Sequence, residues 1–218
     1  MSSRNVRHGW IAITVSLAVS MTGCARSSET EKTANHDAEG ERASLQLIAL
    51  DGAIVDPLNA AASPVSVFVF TRVDCPVSNR YAPQVRRIFE EFSPKGVAFY
   101  LVYPDPEQTA DGIRRHMQEY GYAFPALRDP NHQLVARCGA RVTPETAVFL
   151  GSGELAYRGR IDDWYADFGK PRAAPTRHDL KEALRAVLAG KQAPQPTGKA
   201  IGCYISDLSS GSGSHGKN

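Results

Sequence analysis

The 218-residue sequence has little excess charge of either sign. Its 25 lysine and arginine residues nearly balance its 23 aspartate and glutamate residues, which leaves a formal net charge of +2. No basic patch interleaved with aromatic residues is present, so nucleic acid is not an expected partner. The sequence also lacks internal repeats, and its length fits one domain with extensions at the ends.

Long hydrophobic runs are lacking too, and the apolar stretch at residues 10–19 is too short to span a bilayer comfortably. It follows Arg4 and Arg7, in the order of an export signal. The stretch is followed by residues 21–24, Met-Thr-Gly-Cys, which resemble a bacterial lipobox. The resemblance implies that residues 1–23 are a lipoprotein signal peptide and that Cys24 is lipidated. We therefore expect a membrane lipoprotein of the bacterial cell envelope that faces the periplasm, with plain secretion as the alternative.

Bulky apolar residues are scarce in two further segments. Residues 24–44 and 209–218 are polar, so they cannot bury enough surface to fold on their own. We expect a disordered tether at the first segment and disorder at the second. Between them the sequence predicts one folded domain over residues 45–190 and a docked tail over residues 191–208.

Cysteine is rare, and the position of Cys75 is the most informative of the four. An apolar run at residues 64–70 is typical of a buried strand, and Tyr81, Val85 and Ile88 recur at helical spacing after it. Cys75 therefore lies where a helix begins, and free N–H groups there favour a thiolate. The sequence predicts a reactive thiol whose pKa is lowered, although the adjacent Asp74 opposes that shift.

Four landmarks in register resemble the thioredoxin-like superfamily. Residues 75–78, Cys-Pro-Val-Ser, stand where that family has its CxxC motif, with Ser78 in place of the second cysteine. Pro83 corresponds to the proline that kinks the active-site helix, and Thr143-Pro144 corresponds to the cis-proline loop. The glycine-rich turn and strand at residues 151–159 resemble the terminal hairpin.

This resemblance implies an α/β thioredoxin-like fold, in which helices flank a mixed central sheet, here with an N-terminal hairpin around Asp51-Gly52. It implies a redoxin, similar to peroxiredoxins and thiol-specific antioxidant proteins, that needs no cofactor. Ser78, Thr143 and Pro144 would bind substrate, with a cis Thr143–Pro144 bond in contact with Cys75. The partner would be a thiol or disulfide electron donor or a small peroxide. Peroxide is the weaker choice, because Thr71 lies one residue out of register with the peroxiredoxin motif PxxxTxxC.

The remaining cysteines allow one disulfide partner for Cys75. Cys138 falls on the apolar side of a predicted helix, which indicates a core residue. Cys203 alternates with Ile201 and Ile205 in the tail, so we expect this segment to dock. Cys203 is therefore a candidate catalytic residue that resolves a Cys75 disulfide, with structural packing as the alternative.

Metal ligands and charged residues give weaker signals. No pair of the six histidines has ligand spacing, and Asn79 stands where a CxxxC copper motif would have its second cysteine, so no metal ion is expected. Arg160 and Asp162 would share one face of a strand. They form either an exposed ion pair or a charged wall near Cys75 that binds substrate.

Two functions follow from the sequence. The leading hypothesis is a membrane-anchored, extracytoplasmic thiol-disulfide oxidoreductase or thiol peroxidase that uses the Cys75 thiolate. The alternative is a non-catalytic thioredoxin-like binding or chaperone module for a redox protein or metalloprotein, because a second active-site cysteine is missing.

Overall fold

A seven-stranded sheet forms the centre of the molecule, in the strand order β2-β1-β5-β4-β3-β7-β8. Its strands are β1 (Leu47–Ala49), β2 (Ile54–Val55), β3 (Val65–Phe70), β4 (Val97–Tyr103), β5 (Ala126–Arg128), β7 (Glu145–Leu150) and β8 (Leu155–Gly159). Strands β3, β4 and β5 pair in parallel, whereas the other pairs are antiparallel. Short strands lie outside this sheet: β6 (Val142–Thr143), β9 (Tyr165–Asp167), β10 (Lys170–Pro171) and β11 (Cys203–Tyr204).

The structure is a computed structural model that describes residues 44–59 and 63–206, all of which belong to one compact unit. The predicted signal peptide, the lipidation site Cys24, nearly all of the predicted tether and the segment 209–218 lie outside these residues. Within the described ranges, no helix combines the length and the apolar character needed to cross a membrane.

Within the described residues, four α-helices and a short 3-10 helix at Ser93–Lys95 complete the fold. The α-helices are α1 (Pro76–Phe92), α2 (Ala110–Tyr120), α3 (Gln133–Cys138) and α4 (Asp179–Leu188). Strand β3 is buried on both faces because its side chains alternate between two apolar clusters. Val67 and Val69 pack with the apolar sides of α1 and α4, while Phe68 and Phe70 pack with α3. The mixed sheet with helices on both faces confirms the predicted α/β thioredoxin-like fold, including the β1–β2 hairpin.

The tail returns to the body of the domain. Strand β11 pairs antiparallel with β6, so that Cys203 lies opposite Thr143 and Tyr204 lies opposite Val142. The backbone N–H of Ile205 donates to the Arg141 carbonyl at 3.0 Å and extends this pairing. The tail strand therefore runs along the segment that leads into Pro144.

Candidate active site

Cys75 caps the N-terminus of α1. Its backbone is extended, and its Sγ accepts a hydrogen bond from the Ser78 N–H at 3.5 Å. Pro76 occupies the first turn, where its missing N–H costs no helical hydrogen bond. Because the Ser78 N–H donates to the sulphur at the positive end of the helix dipole, this position favours the thiolate. Only 1% of the Cys75 surface is exposed.

The Thr143–Pro144 peptide bond is cis, as predicted. The carbonyl oxygen of Thr143 lies 3.0 Å from Cys75 Sγ and accepts a hydrogen bond from the thiol. The predicted contact between this loop and Cys75 is thereby confirmed. Ser78, which stands where a second cysteine would be, is buried in the first turn of α1 next to the same sulphur.

Cys203 reaches this site from the tail. Its side chain adjoins the Cys75 thiol and lowers the pKa of that thiol, and its carbonyl oxygen accepts from Thr143 Oγ1 at 3.5 Å. Both thiols are free. The structure thus brings together four residues selected from the sequence, Cys75, Ser78, Thr143 and Cys203.

The two neighbouring thiols have opposite pKa shifts. Burial raises the pKa of Cys75, but hydrogen bonds from the side chains of Cys203, Ser78 and Thr143 and from the Ser78 N–H outweigh it, so the net pKa is below the ordinary thiol value. Burial and the hydrogen bond to Cys75 raise the pKa of Cys203 to about 12. Cys75 therefore loses its proton first, and Cys203 remains a thiol that can donate to it.

Cys138 lies apart from this pair. It is buried in the cluster that contains Phe68 and Leu134, and its thiol donates to the Val135 carbonyl. Burial raises the pKa of the Cys138 thiol to about 12. These surroundings agree with the predicted core role.

Arg160 and Asp162 lie beyond the predicted strand, because β8 ends at Gly159. The Arg160 guanidinium binds the Asp179 carboxylate at 2.9 Å and Thr197 Oγ1 at 3.0 Å, which ties the loop to α4 and to the tail linker. Asp162 is buried and accepts hydrogen bonds from Tyr81 Oη at 2.6 Å and from the Trp164 N–H. The strand alternation used to place both residues on one face is thus wrong, and their partners favour a structural role over a charged wall.

Asp74, which was expected to raise the Cys75 pKa, is paired with a cation. Its carboxylate lies 3.1 Å from the Arg72 guanidinium, which also binds Asp105 at 3.1 Å. Arg72 therefore pairs with two carboxylates, Asp74 and Asp105. The pKa of Cys75 is lowered although Asp74 is the adjacent residue.

A buried polar chain behind the cysteine was not identified from the sequence. Asn79 Nδ2 donates to the Val73 carbonyl at 3.0 Å, so its Oδ1 must accept from His116 Nε2 at 2.8 Å. His116 Nδ1 then accepts from Tyr103 Oη at 2.8 Å. Burial lowers the pKa of His116, which favours this neutral form. These hydrogen bonds hold the backbone at Val73, two residues before Cys75. In the sequence, the one indication of them was that His116 falls on the same side of the predicted helix as Ile113.

An open surface cavity of about 450 Å³ adjoins Cys203. Apolar side chains dominate its walls, among them Val142, Ile201 and two exposed aromatic residues, Phe168 and Tyr204. Within the part of the chain that the structure describes, no group of three histidine, cysteine or acidic residues is placed to hold a metal ion.

Known proteins resemble this chain in sequence and in fold. A curated relative, the thiol-disulfide oxidoreductase ResA of Halalkalibacterium halodurans, is 28% identical over 82 residues, which are 37% of this chain and 45% of the relative, so the chain spans under half of that protein's length. An uncharacterized conserved protein from Geobacillus kaustophilus superposes with a TM-score of 0.62 at 25% identity, over 73% of this chain and 86% of that one.

A hypothetical protein from Sinorhizobium meliloti 1021 has the same fold, with a TM-score of 0.63 at 24% identity over 75% of this chain and 90% of that one. The family model described as the AhpC/TSA family matches residues 40–159, which include Cys75, Thr143 and Pro144. This match covers more than half of the sequence, and the chain therefore belongs to the AhpC/TSA family of thioredoxin-like redoxins.

Proposed function

We propose that this protein is a thiol-disulfide oxidoreductase in which Cys75 is the nucleophile and Cys203 is the resolving thiol. The observation that carries the proposal is the pairing of β11 with β6, which sets Cys203 opposite Thr143, whose carbonyl contacts Cys75 Sγ. Family membership supports redox chemistry, and the ResA similarity supports disulfide exchange. The opposite pKa shifts distinguish the two sulphurs, because the thiol that ionises first is the nucleophile.

The reaction proceeds in two exchange steps. The Cys75 thiolate attacks one sulphur of a substrate disulfide, which forms a mixed disulfide and releases the first substrate thiolate. Cys203 then gives up its proton and attacks Cys75 Sγ, which releases the second substrate thiolate and leaves a Cys75–Cys203 disulfide. The substrate gains two electrons and the protein loses two, so an external dithiol must reduce the protein again.

Neighbouring groups assist the first step. The Ser78 N–H donates to Cys75 Sγ and stabilises negative charge there, both before attack and when this sulphur is the leaving group. The Thr143 and Pro144 backbone lies against the reacting sulphur and would position the substrate there. Arg160 and Asp162 act more remotely in this proposal, since they fix the loop and Tyr81 of α1.

The docked tail weakens the argument for a non-catalytic binding or chaperone module. That alternative depended on the missing second cysteine in the residue 75–78 motif. Cys203 supplies a second thiol from another part of the chain and sets it beside the first. The site therefore favours catalysis by a pair of thiols over a non-catalytic binding or chaperone function.

Thiol release from a small model disulfide tests this function, with soluble protein in which Cys24 is replaced by serine. We expect two thiols per protein molecule in the first oxidation and continued turnover with an added dithiol. The Cys75→Ser variant should release none above background. Equal release by wild type and this variant would contradict the proposal.

We also propose that the protein acts outside the cytoplasm as a membrane-anchored lipoprotein. The support is the order of basic, apolar and small residues that ends at Cys24. The wild-type protein should partition with membranes, and Cys24→Ala should move it to the soluble fraction. A wild-type protein that is already soluble would contradict the anchor.

A further inference from the structure

Gly202 meets the loop that holds Cys75 with no space between the two backbones. A Cβ atom at this position would lie 1.9 Å from the Thr143 oxygen, 2.6 Å from the Thr143 carbon and 3.1 Å from the Pro144 nitrogen. Backbone atoms cannot rotate away as a flexible side chain can, so every residue except glycine would force the strands apart. Docking of the tail therefore requires glycine immediately before Cys203.

The docked strand also encloses the reactive sulphur. Cys75 Sγ contacts the Thr143 carbonyl and the Ser78 N–H, and the Cys203 side chain contacts it from the tail. With 1% of the residue exposed, little room is left for an approaching molecule. A disulfide between two proteins or two peptides cannot reach Cys75 in this arrangement.

Few hydrogen bonds hold the tail strand, although Ile201 and Ile205 also pack against the two core clusters. The β6–β11 ladder has two residue pairs, which the Ile205 N–H bond to Arg141 and the Thr143 hydroxyl bond to the Cys203 carbonyl supplement. Short pairings at the edge of a domain open more readily than its core strands. The tail can thus leave and return while the central sheet stays intact.

We propose that the tail strand, residues 201–205, is a size filter on Cys75 and that Gly202 is the residue that determines this specificity. The docked strand admits only oxidants of a few atoms, and a larger disulfide reacts with Cys75 only when the strand has undocked. The strand must dock again before Cys203 can resolve the mixed disulfide. This proposal rests on the proposed function, since it assumes that Cys75 is the nucleophile.

The two states of the tail therefore serve different steps. An undocked tail speeds attack by Cys75 on a large disulfide, and the same undocked tail slows resolution by Cys203. A variant that favours undocking should change these two rates in opposite directions. General loss of structure would expose Cys138 as well, which separates it from undocking.

Gly202→Ala tests the filter, with two methanethiosulfonates of identical chemistry that carry either a methyl group or a long polyethylene glycol chain. Each reagent transfers its thio group to the Cys75 thiolate and releases methanesulfinate. Peptide mapping counts the Cys75 adduct together with any Cys75–Cys203 disulfide that Cys203 forms from it. We expect wild-type Cys75 to react with the small reagent and to resist the large one. In Gly202→Ala the ratio of the large-reagent rate to the small-reagent rate should rise about tenfold or more, as expected for local opening. The ratio cancels any change in the thiolate fraction of Cys75, because both reagents react with the same thiolate.

Gly112→Ala is the matched control, because it makes the same change in α2, away from the tail, where the added Cβ meets only the Thr109 hydroxyl at 3.3 Å. It should behave as wild type. Ile205→Pro provides a second route to undocking, since it removes the N–H that binds the Arg141 carbonyl without filling the space at Gly202. It should resemble Gly202→Ala even if that variant folds poorly.

The outcomes separate this inference from the proposed function. Equal reaction of wild-type Cys75 with both reagents, or size discrimination that survives in folded Gly202→Ala and Ile205→Pro, would overturn the filter. A Cys75 that stays unreactive toward both reagents in every variant would instead overturn its role as the nucleophile. Faster labelling of Cys138 in parallel with Cys75 would show unfolding in place of undocking and would also count against the filter.

Discussion

Cys203 lies beside Cys75 although one is in the tail and the other is at the start of α1. The contact arises because β11 pairs with β6, which sets Cys203 opposite Thr143, whose carbonyl contacts Cys75. The two-residue β6–β11 ladder therefore determines whether Cys75 has a second thiol beside it.

Removal of the second thiol should stop turnover at the mixed disulfide. With Cys203→Ala we expect Cys75 to remain bound to one half of the substrate and turnover to fall about 100-fold or more, because a neighbouring thiol acts at a far higher effective concentration than an added one. Mass spectrometry of the trapped adduct and steady-state assays measure both effects. Cys138→Ala is the control: we expect near-normal turnover and a loss of about 1 kcal/mol in unfolding free energy, from the small core cavity.

The Cys203 side chain should also affect the ionisation of Cys75. Its hydrogen bond is the largest of the contributions that lower the Cys75 pKa, so Cys203→Ala should move the rise of Cys75 alkylation with pH to a higher pH. The measurement is the alkylation rate with a small reagent across pH 5 to about 10, a range that brackets the ordinary thiol pKa. A curve that stays in place or moves to lower pH would contradict the assigned contact.

The chain of Tyr103, His116 and Asn79 should support the backbone before Cys75. His116→Phe keeps a ring but removes two hydrogen bonds, so we expect the unfolding free energy to fall by about 2 kcal/mol. Tyr103→Phe removes only the far hydrogen bond and should cost about 1 kcal/mol. Denaturant titration measures both, and an equal loss in the two variants would contradict the separate contacts.

His116 should also make the stability depend on pH. Burial lowers its folded-state pKa below the ordinary 6.5, so the unfolded chain binds more protons as the pH falls through that value. The wild-type protein should therefore lose more unfolding free energy between pH 7.5 and about 5.5 than His116→Phe does, in a window set by the ordinary histidine pKa. Parallel losses in the two proteins would show that His116 is not the titrating group.

A substitution at Arg160 distinguishes the two hypotheses for this residue, an ion pair that stabilises the fold and a charged residue that acts on Cys75 or its substrate. Because it bonds Asp179 and Thr197, Arg160→Ala should lower the unfolding free energy by about 3 kcal/mol, as loss of one partner of a largely buried ion pair does. The alkylation rate of Cys75 should stay within about twofold of wild type, since the guanidinium is engaged elsewhere. A large change in the Cys75 alkylation rate with an unchanged unfolding free energy would instead support the hypothesis that Arg160 acts on Cys75 or its substrate.

Local sequence signals predicted the parts of the site that depend on neighbouring residues. A buried strand, an N-terminal cysteine cap and the following helix follow from residues 64–92, and the landmark order placed the cis Pro144 loop. Contacts between segments that are distant in the sequence could not be predicted from such local signals. Asn79 and His116 meet only because α1 and α2 pack together, and Asp162 contacts Tyr81 of α1, which is 81 residues away in the sequence. The role of Gly202 was also hidden, since glycine in a tail is ordinarily read as flexibility.

Disulfide mapping after mild oxidation tests the central claim most directly. The wild-type protein, isolated without reductant or treated with a small disulfide oxidant, is alkylated, digested and analysed by mass spectrometry. The account predicts a linked peptide pair that joins Cys75 to Cys203, with Cys138 recovered as the free, alkylated residue. A Cys75–Cys138 link, or a Cys75 that stays reduced while Cys203 pairs elsewhere, would contradict it.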